Sequence, residues 1–146
     1  MRLLGIDYGS KRVGIALGDT ESRIASPWAV FENEGSLALL AKIHDVATQE
    51  QAKAIVVGVP HSLRKPHEEN AQLRSIKRFI EELKGIGLEV HEIDEALTSR
   101  LAARQVSDMG QKGKRDDLAA AVILQTWLDR EGTRQTIDDR RETRAL

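Results

Sequence analysis

The chain has 146 residues, a formal net charge of -1, 31% charged and 3% aromatic residues, and no cysteine. That length suits one domain, which buries roughly two thirds of its unfolded surface and so folds without a disulfide or structural metal. The lack of cysteine excludes thiol catalysis, thiolate-held zinc and disulfides, and the near-neutral charge excludes a uniformly basic nucleic-acid coat. No run approaches the ~20 apolar residues of a membrane span, and Met1 to Asp7 lacks the apolar segment of an export signal. A soluble, cytoplasmic protein with no membrane partner is expected.

Leu3 to Tyr8 and Val13 to Gly18 read as two strands joined by the turn Gly9 to Arg12, an antiparallel hairpin. A third strand is expected over Pro27 to Phe31. Ser36 reads as the N-cap of a helix to about Gln49, with Leu37, Leu40, Ile43 and Ala47 on its inner face. Ala54 to Val59 is a continuous apolar run ending at Pro60, the mark of a buried central strand.

After a polar loop, Leu73, Ile76, Phe79, Ile80 and Leu83 recur at helical spacing until Gly85 and Gly87 stop the element. Leu88 to Ile93 reads as a strand with Asp94 and Glu95 at its C-terminal end. A helix over Ser99 to Met109, a loop over Gly110 to Arg115, and a last helix opened by Asp116 complete the order. Its Leu118 to Leu124 run is apolar all round, hence buried. Trp28 and Trp127, both in apolar settings, are expected to pack.

This β-β-β-α-β-α-β-α-α order predicts an α/β fold. Its mixed five-stranded sheet joins an antiparallel β1-β2-β3 meander to two parallel strands, with helices on both faces. Residues 1–130 form the domain. Residues 131–146 carry too little apolar surface to pack and are expected to be a flexible C-terminal tail.

Acids at strand ends or helix starts lie on the rim of an α/β sheet, where crevices form. Asp7 sits in an otherwise apolar strand, where a charge is costly unless donors or a cation surround it. Glu95 follows a distant strand, and Asp116 starts a helix far along the chain. Brought together, the three make a hard-oxygen site suited to Mg²⁺ or Mn²⁺. Blander readings stand beside this one. Asp7 could pair with Lys11 or Arg12 in a turn, Asp94 could be the useful acid of its pair, and Asp116 could be a helix cap with Asp117 beside it.

Gly5 and Gly9 leave the backbone around Asp7 bare for a bulky polyanion, with Lys11 and Arg12 placed to meet phosphates. Between Thr98 and Arg115 stand five basic residues, Arg100, Arg104, Lys112, Lys114 and Arg115, against one acid, Asp108. Such a patch can hold a phosphate backbone on an otherwise neutral surface, although charge alone suits a solvated face as well.

Four segments in order resemble the YqgF/RuvX family of bacterial precursor ribosomal RNA nucleases and Holliday-junction resolvases. They are Gly5 to Ala16 (GIDYGSKRVGIA), Ile55 to Pro60 (IVVGVP), Asp94 to Ser99 (DEALTS), and Lys112 to Asp116 (KGKRD) followed by Ala119 to Gln125 (AAAVILQ). The resemblance implies an RNase H-like fold with catalytic, metal-holding carboxylates at Asp7, Glu95 and Asp116, favouring Glu95 over Asp94 and Asp116 over Asp117. Activity would be phosphodiester hydrolysis with two Mg²⁺ or Mn²⁺ ions ~4 Å apart, Asp7 bridging them. Lys11, Arg12, Thr98, Arg100, Lys112, Lys114 and Arg115 would hold nucleic acid.

The implied role is 5′-end maturation of precursor 16S rRNA. Branched DNA is the alternative substrate, and a non-catalytic RNA-binding assembly factor the alternative class. Structured RNA, pre-ribosomal particles and a second copy in a homodimer are the partners this admits. Two positions depart from the family: Ala96 stands where arginine usually follows the acidic pair, and His61 to Lys65 replaces a glycine-bearing turn.

Overall fold

The structure, a computed structural model, describes residues 1–60, 71–95 and 116–145, with side chains as far as Gly132. Strands β1 (Arg2–Asp7), β2 (Arg12–Asp19) and β3 (Ala25–Glu32) lead into helix α1 (Ser36–Glu50). Strand β4 (Ala52–Val59), helix α2 (Ala71–Lys84), strand β5 (Glu89–Asp94) and helix α3 (Asp116–Ala145) follow. The strands form one sheet in the order β3-β2-β1-β4-β5. The first three pair antiparallel, and β1–β4 and β4–β5 pair parallel, which is the expected mixed sheet.

The period-two alternation of each strand divides the core between the two faces. Leu4, Ile6, Val13, Ile15, Ile55 and Val57 meet Leu39 and Ile43 of α1 and Ile76, Phe79, Ile80 and Leu83 of α2. Leu3, Ala16, Ala54, Val56 and Ile93 meet Ala120, Ile123, Leu124 and Leu128 of α3 on the opposite face. Each such buried Leu or Ile contributes roughly 1.5–3 kcal/mol, so both layers hold the sheet rigid at its rim. Helix α3 rides close on β1 because Gly5 carries no side chain. A Cβ there would stand 2.7 Å from the Ala120 carbonyl oxygen and from Leu124 Cβ.

Several expectations are corrected. The cap of α1 is Gly35 (φ 113°), and Ser36 is the first helical residue with no side-chain capping bond. Glycine takes that backbone geometry without the Cβ clash that serine would suffer. The inner face of α1 is Leu39, Ile43, Val46 and Ala47, with Leu40 half-buried against them as expected; Leu37 is 87% exposed, because two residues rotate it about 200° from Leu39. Trp28 is 40% exposed on the outer strand β3, where a register shift opposite Ile15 and Ala16 leaves it without a strand partner. Trp127 packs against the α3 layer as expected, its ring 5.0 Å from that of His91. Helix α3 is helical in backbone as far as Ala145, and Gly132 is buried. The expected Ser99 to Met109 helix and the basic loop lie outside the described residues.

Candidate active site

Asp7 ends the central strand β1 opposite Gly14 of β2. At 6% exposure it is the one buried charged side chain among the described residues. Alternation along β1 sends it to the α3 face with Leu3 and Gly5. On the other side of β1, Ile6 pairs with Val57, which brings Gly58 of β4 beside Asp7. Gly14, Asp7 and Gly58 thus form a row across the C-terminal rim, adjacent positions about 4.8 Å apart.

The outer two members of that row lie under the other two acids. A Cβ on Gly14 would overlap the Asp116 carbonyl group and stand 2.8 Å from the Asp117 nitrogen, so the first turn of α3 lies directly on β2 there. A Cβ on Gly58 would stand 3.3 Å from Glu95 Cγ, so the Glu95 side chain covers that strand. Three carboxylate residues from remote parts of the sequence therefore share one rim and one face, with Asp7 between the others.

Asp7 and Glu95 also line one cleft of about 400 Å³, together with Tyr8, Gly9 and Ser10 of the hairpin turn, Pro60, and Ala71, Gln72 and Ser75 of α2. Asp94, the last residue of β5, is not in its lining. Asp116 is 12% exposed and its Oδ2 lies 3.2 Å from the Arg12 Nε. Asp117 Oδ1 accepts a bond from the Leu118 N–H at 3.0 Å. The cluster sits at the N-terminus of α3, whose positive dipole end favours negative charge.

All these donors are carboxylate oxygens, the set that Mg²⁺ and Mn²⁺ prefer. Among the described residues no three His, Cys, Asp or Glu side chains converge as a metal-holding group, and Asp116 is directed to Arg12. A cation shared by all three would replace that guanidinium at Asp116. Asp7 and Glu95 already face a common space.

Of the expected nucleic-acid contacts, Lys11 is exposed on the hairpin turn and Arg12 holds Asp116. Thr98, Arg100, Lys112, Lys114, Arg115 and Ala96 lie outside the described residues. The sequence reading missed Asn33, whose side-chain amide donates to the Gly9 carbonyl at 2.9 Å. Its backbone N–H donates to the Lys11 carbonyl at 2.8 Å. These two bonds fix the turn that walls the cleft. Tyr8 supports the same wall by stacking on Phe79 with ring centroids 4.4 Å apart. A single Asn after a strand carries no periodic signal, and Gln72 and Ser75 look like ordinary solvent-face residues. A larger hollow of about 720 Å³ opens at the opposite edge of the sheet, beside Arg2, Asp19, His44 and Lys53. It lies at the N-terminal ends of the parallel strands, whereas sites in α/β sheets form at the C-terminal ends.

A family model described as "RuvX: Holliday junction resolvase" matches residues 1–130. A protein of Anaeromyxobacter dehalogenans named "Putative pre-16S rRNA nuclease" is 39% identical over 136 residues, 89% of this chain and 98% of that one. A protein of the same name from Maridesulfovibrio salexigens is 33% identical, over 89% of this chain and 99% of that one. Among solved structures, T. thermophilus RuvC in complex with a Holliday junction substrate superposes with a TM-score of 0.58 at 16% identity. That match covers 91% of this chain and 97% of RuvC. The fowlpox virus resolvase bound to Holliday junction DNA gives 0.53 at 12% identity, over 88% and 97%.

Proposed function

The chain belongs to the RuvX family, with an RNase H-like fold, and we propose that it is a metal-dependent endonuclease that matures the 5′ end of precursor 16S rRNA in the cytoplasm. One observation carries the catalytic reading. A buried carboxylate, Asp7, ends the central strand between Asp116 and Glu95, and it opens with Glu95 into one cleft. Relatives named as pre-16S rRNA nucleases support the choice of substrate.

Asp7, Glu95 and Asp116 would hold the divalent ions, which supply an activated water and neutralise charge on the phosphate when bound. Arg12 orients the Asp116 carboxylate while it is free of metal. Lys11, exposed beside the cleft, meets a phosphate of the bound strand. The rigid turn held by Asn33 and the Tyr8–Phe79 stack keeps that lysine and Asp7 at a fixed separation. Thr98, Arg100, Lys112, Lys114 and Arg115 complete the proposed phosphate contacts.

A second reading, cleavage of branched DNA, is favoured by the description of the family model. Incubating the protein with a precursor 16S rRNA fragment and with a synthetic four-way junction, in Mg²⁺ and in Mn²⁺, separates the two. Faster cutting of the RNA is expected. Preferential cutting of the junction would transfer the assignment to DNA. Metal-independent binding without cleavage of either would make the protein a non-catalytic assembly factor.

A further inference from the structure

We propose that the exposed flank of α2 is a second phosphate track, in which Arg74 and Arg78 guide a nucleic-acid strand out of the cleft. The inference rests on the nuclease reading above. Ala71, Arg74, Ser75 and Arg78 stand at i, i+3, i+4 and i+7 of α2, so they form one stripe along the helix. The upper part of that stripe is already cleft wall, because Ala71 and Ser75 line the space that holds Asp7 and Glu95. The two arginines continue it onto the open surface, both side chains exposed.

Neither arginine has a carboxylate partner among the described residues. The contrast lies on the same helix, where Lys84 pairs with Glu81 at 3.2 Å. Positioning does not favour these cations for stability. They sit one turn apart as like charges, and Arg74 lies in the first turn, against the positive end of the helix dipole. No acid stands in that first turn to offset them. Glu81 and Glu82 stand three and four residues beyond Arg78 but form no ion pair with it, so both guanidiniums, on the margin of an acidic cleft, are open to an incoming polyanion. Their separation along the axis is about 6 Å, close to the spacing of neighbouring phosphates on an extended strand. Lys11 is exposed next to Ser10, which lines the same cleft, and adds a further cation near the carboxylates.

The test is salt-dependent binding of a fluorescently labelled single-stranded RNA, with Michaelis kinetics on the same strand. Each phosphate contact adds about 0.7 to the slope of log affinity against log salt, so Arg74→Ala/Arg78→Ala should flatten it by about 1.4. At 0.1 M salt that is roughly a 25-fold loss of affinity, shrinking toward none near 1 M. KM should rise with kcat unchanged, since the arginines touch no reacting atom. Arg74→Lys/Arg78→Lys should keep the slope, and Lys84→Ala should match wild type. Should the alanine pair misfold, Arg74→Gln/Arg78→Gln carries the same expectation. A wild-type slope in a folded double variant would overturn the track while leaving the nuclease reading intact. A wild-type protein that neither binds nor cuts nucleic acid would overturn both.

Discussion

Replacing Gly14 by alanine should dismantle the active site from beneath. The new Cβ would overlap the Asp116 carbonyl group and stand 2.8 Å from the Asp117 nitrogen. These atoms are helix backbone and cannot rotate away as a side-chain end can. Ordinary contact begins near 3.4 Å, so relieving the Asp117 contact alone needs about 0.6 Å, and clearing the carbonyl raises the shift to the order of 1 Å. Overpacking of this kind costs about 1–3 kcal/mol. At roughly 2–4 °C per kcal/mol for a chain of this size, Tm should fall by about 2–12 °C. A 1 Å displacement of a catalytic group costs on the order of 100-fold in rate, so cleavage should drop far more than the fraction folded.

Gly18→Ala is the matched control, on the same strand and face but about 13 Å away. Its added methyl meets side-chain atoms and no backbone: Leu124 Cδ2 at 2.8 Å, Leu128 Cδ1 at 3.1 Å and Leu124 Cγ at 3.2 Å. A comparable loss of Tm with activity within a few-fold of wild type is expected there. Thermal melts and initial cleavage rates on both variants decide the matter. Gly14→Ala with unchanged Tm and unchanged rate would refute the close seating of α3 on β2, and with it the placement of Asp116.

Other perturbations test separate parts of the account. Removing residues 133–146 should leave Tm within a few degrees of the full chain, because the segment carries little large apolar surface to offset an ordering cost of about 1–2 kcal/mol per residue. Cutting after Arg130 should cost more, because it also removes the buried Gly132. A large loss from the shorter cut alone would show that the end of α3 packs. Arg12→Gln should weaken Asp116 placement in metal-free protein yet leave Mg²⁺-saturated kcat within a few-fold, read from metal titrations of the rate. A complete loss at saturating Mg²⁺ would make Arg12 more than a holder of that carboxylate. Asp19 sits below its ordinary value of 3.8 because the Glu21 N–H donates to it. A depressed folded value contributes stability above pH 3.8 that is lost as pH falls through it. The Tm advantage of wild type over Asp19→Asn should therefore be present at neutral pH and vanish in strong acid. An advantage that persists in strong acid would trace it to something other than this ionisation.

What the sequence made legible was whatever has a period or a motif. The apolar run into Val59, the hairpin around Gly9 and the amphipathic stripe from Leu73 to Leu83 each declared their element, and the alternation of elements declared the mixed sheet. The burial of Asp7 was legible because a charge in an apolar strand needs a reason. Pairwise outcomes were not. Arg12 reads as a phosphate contact in the turn motif, but the docking of α3 sets Asp116 against it. Trp28 reads as core, yet β3 lies at the sheet edge, where tertiary position overrides composition. Gly14 and Gly58 look like strand weaknesses until the helix and Glu95 are laid over them.

Asp7→Asn is the most direct measurement on the central claim. The substitution keeps the shape of the one buried charged side chain described and removes its charge. With Mg²⁺ or Mn²⁺ the wild-type protein should melt at a higher temperature than without, since a divalent ion offsets the mutual repulsion of Asp7, Glu95 and Asp116. The variant should lose most of that gain and all cleavage, while its metal-free Tm stays at or above that of wild type. Cleavage at the wild-type rate by highly purified Asp7→Asn protein, with its metal-dependent Tm gain intact, would contradict the account.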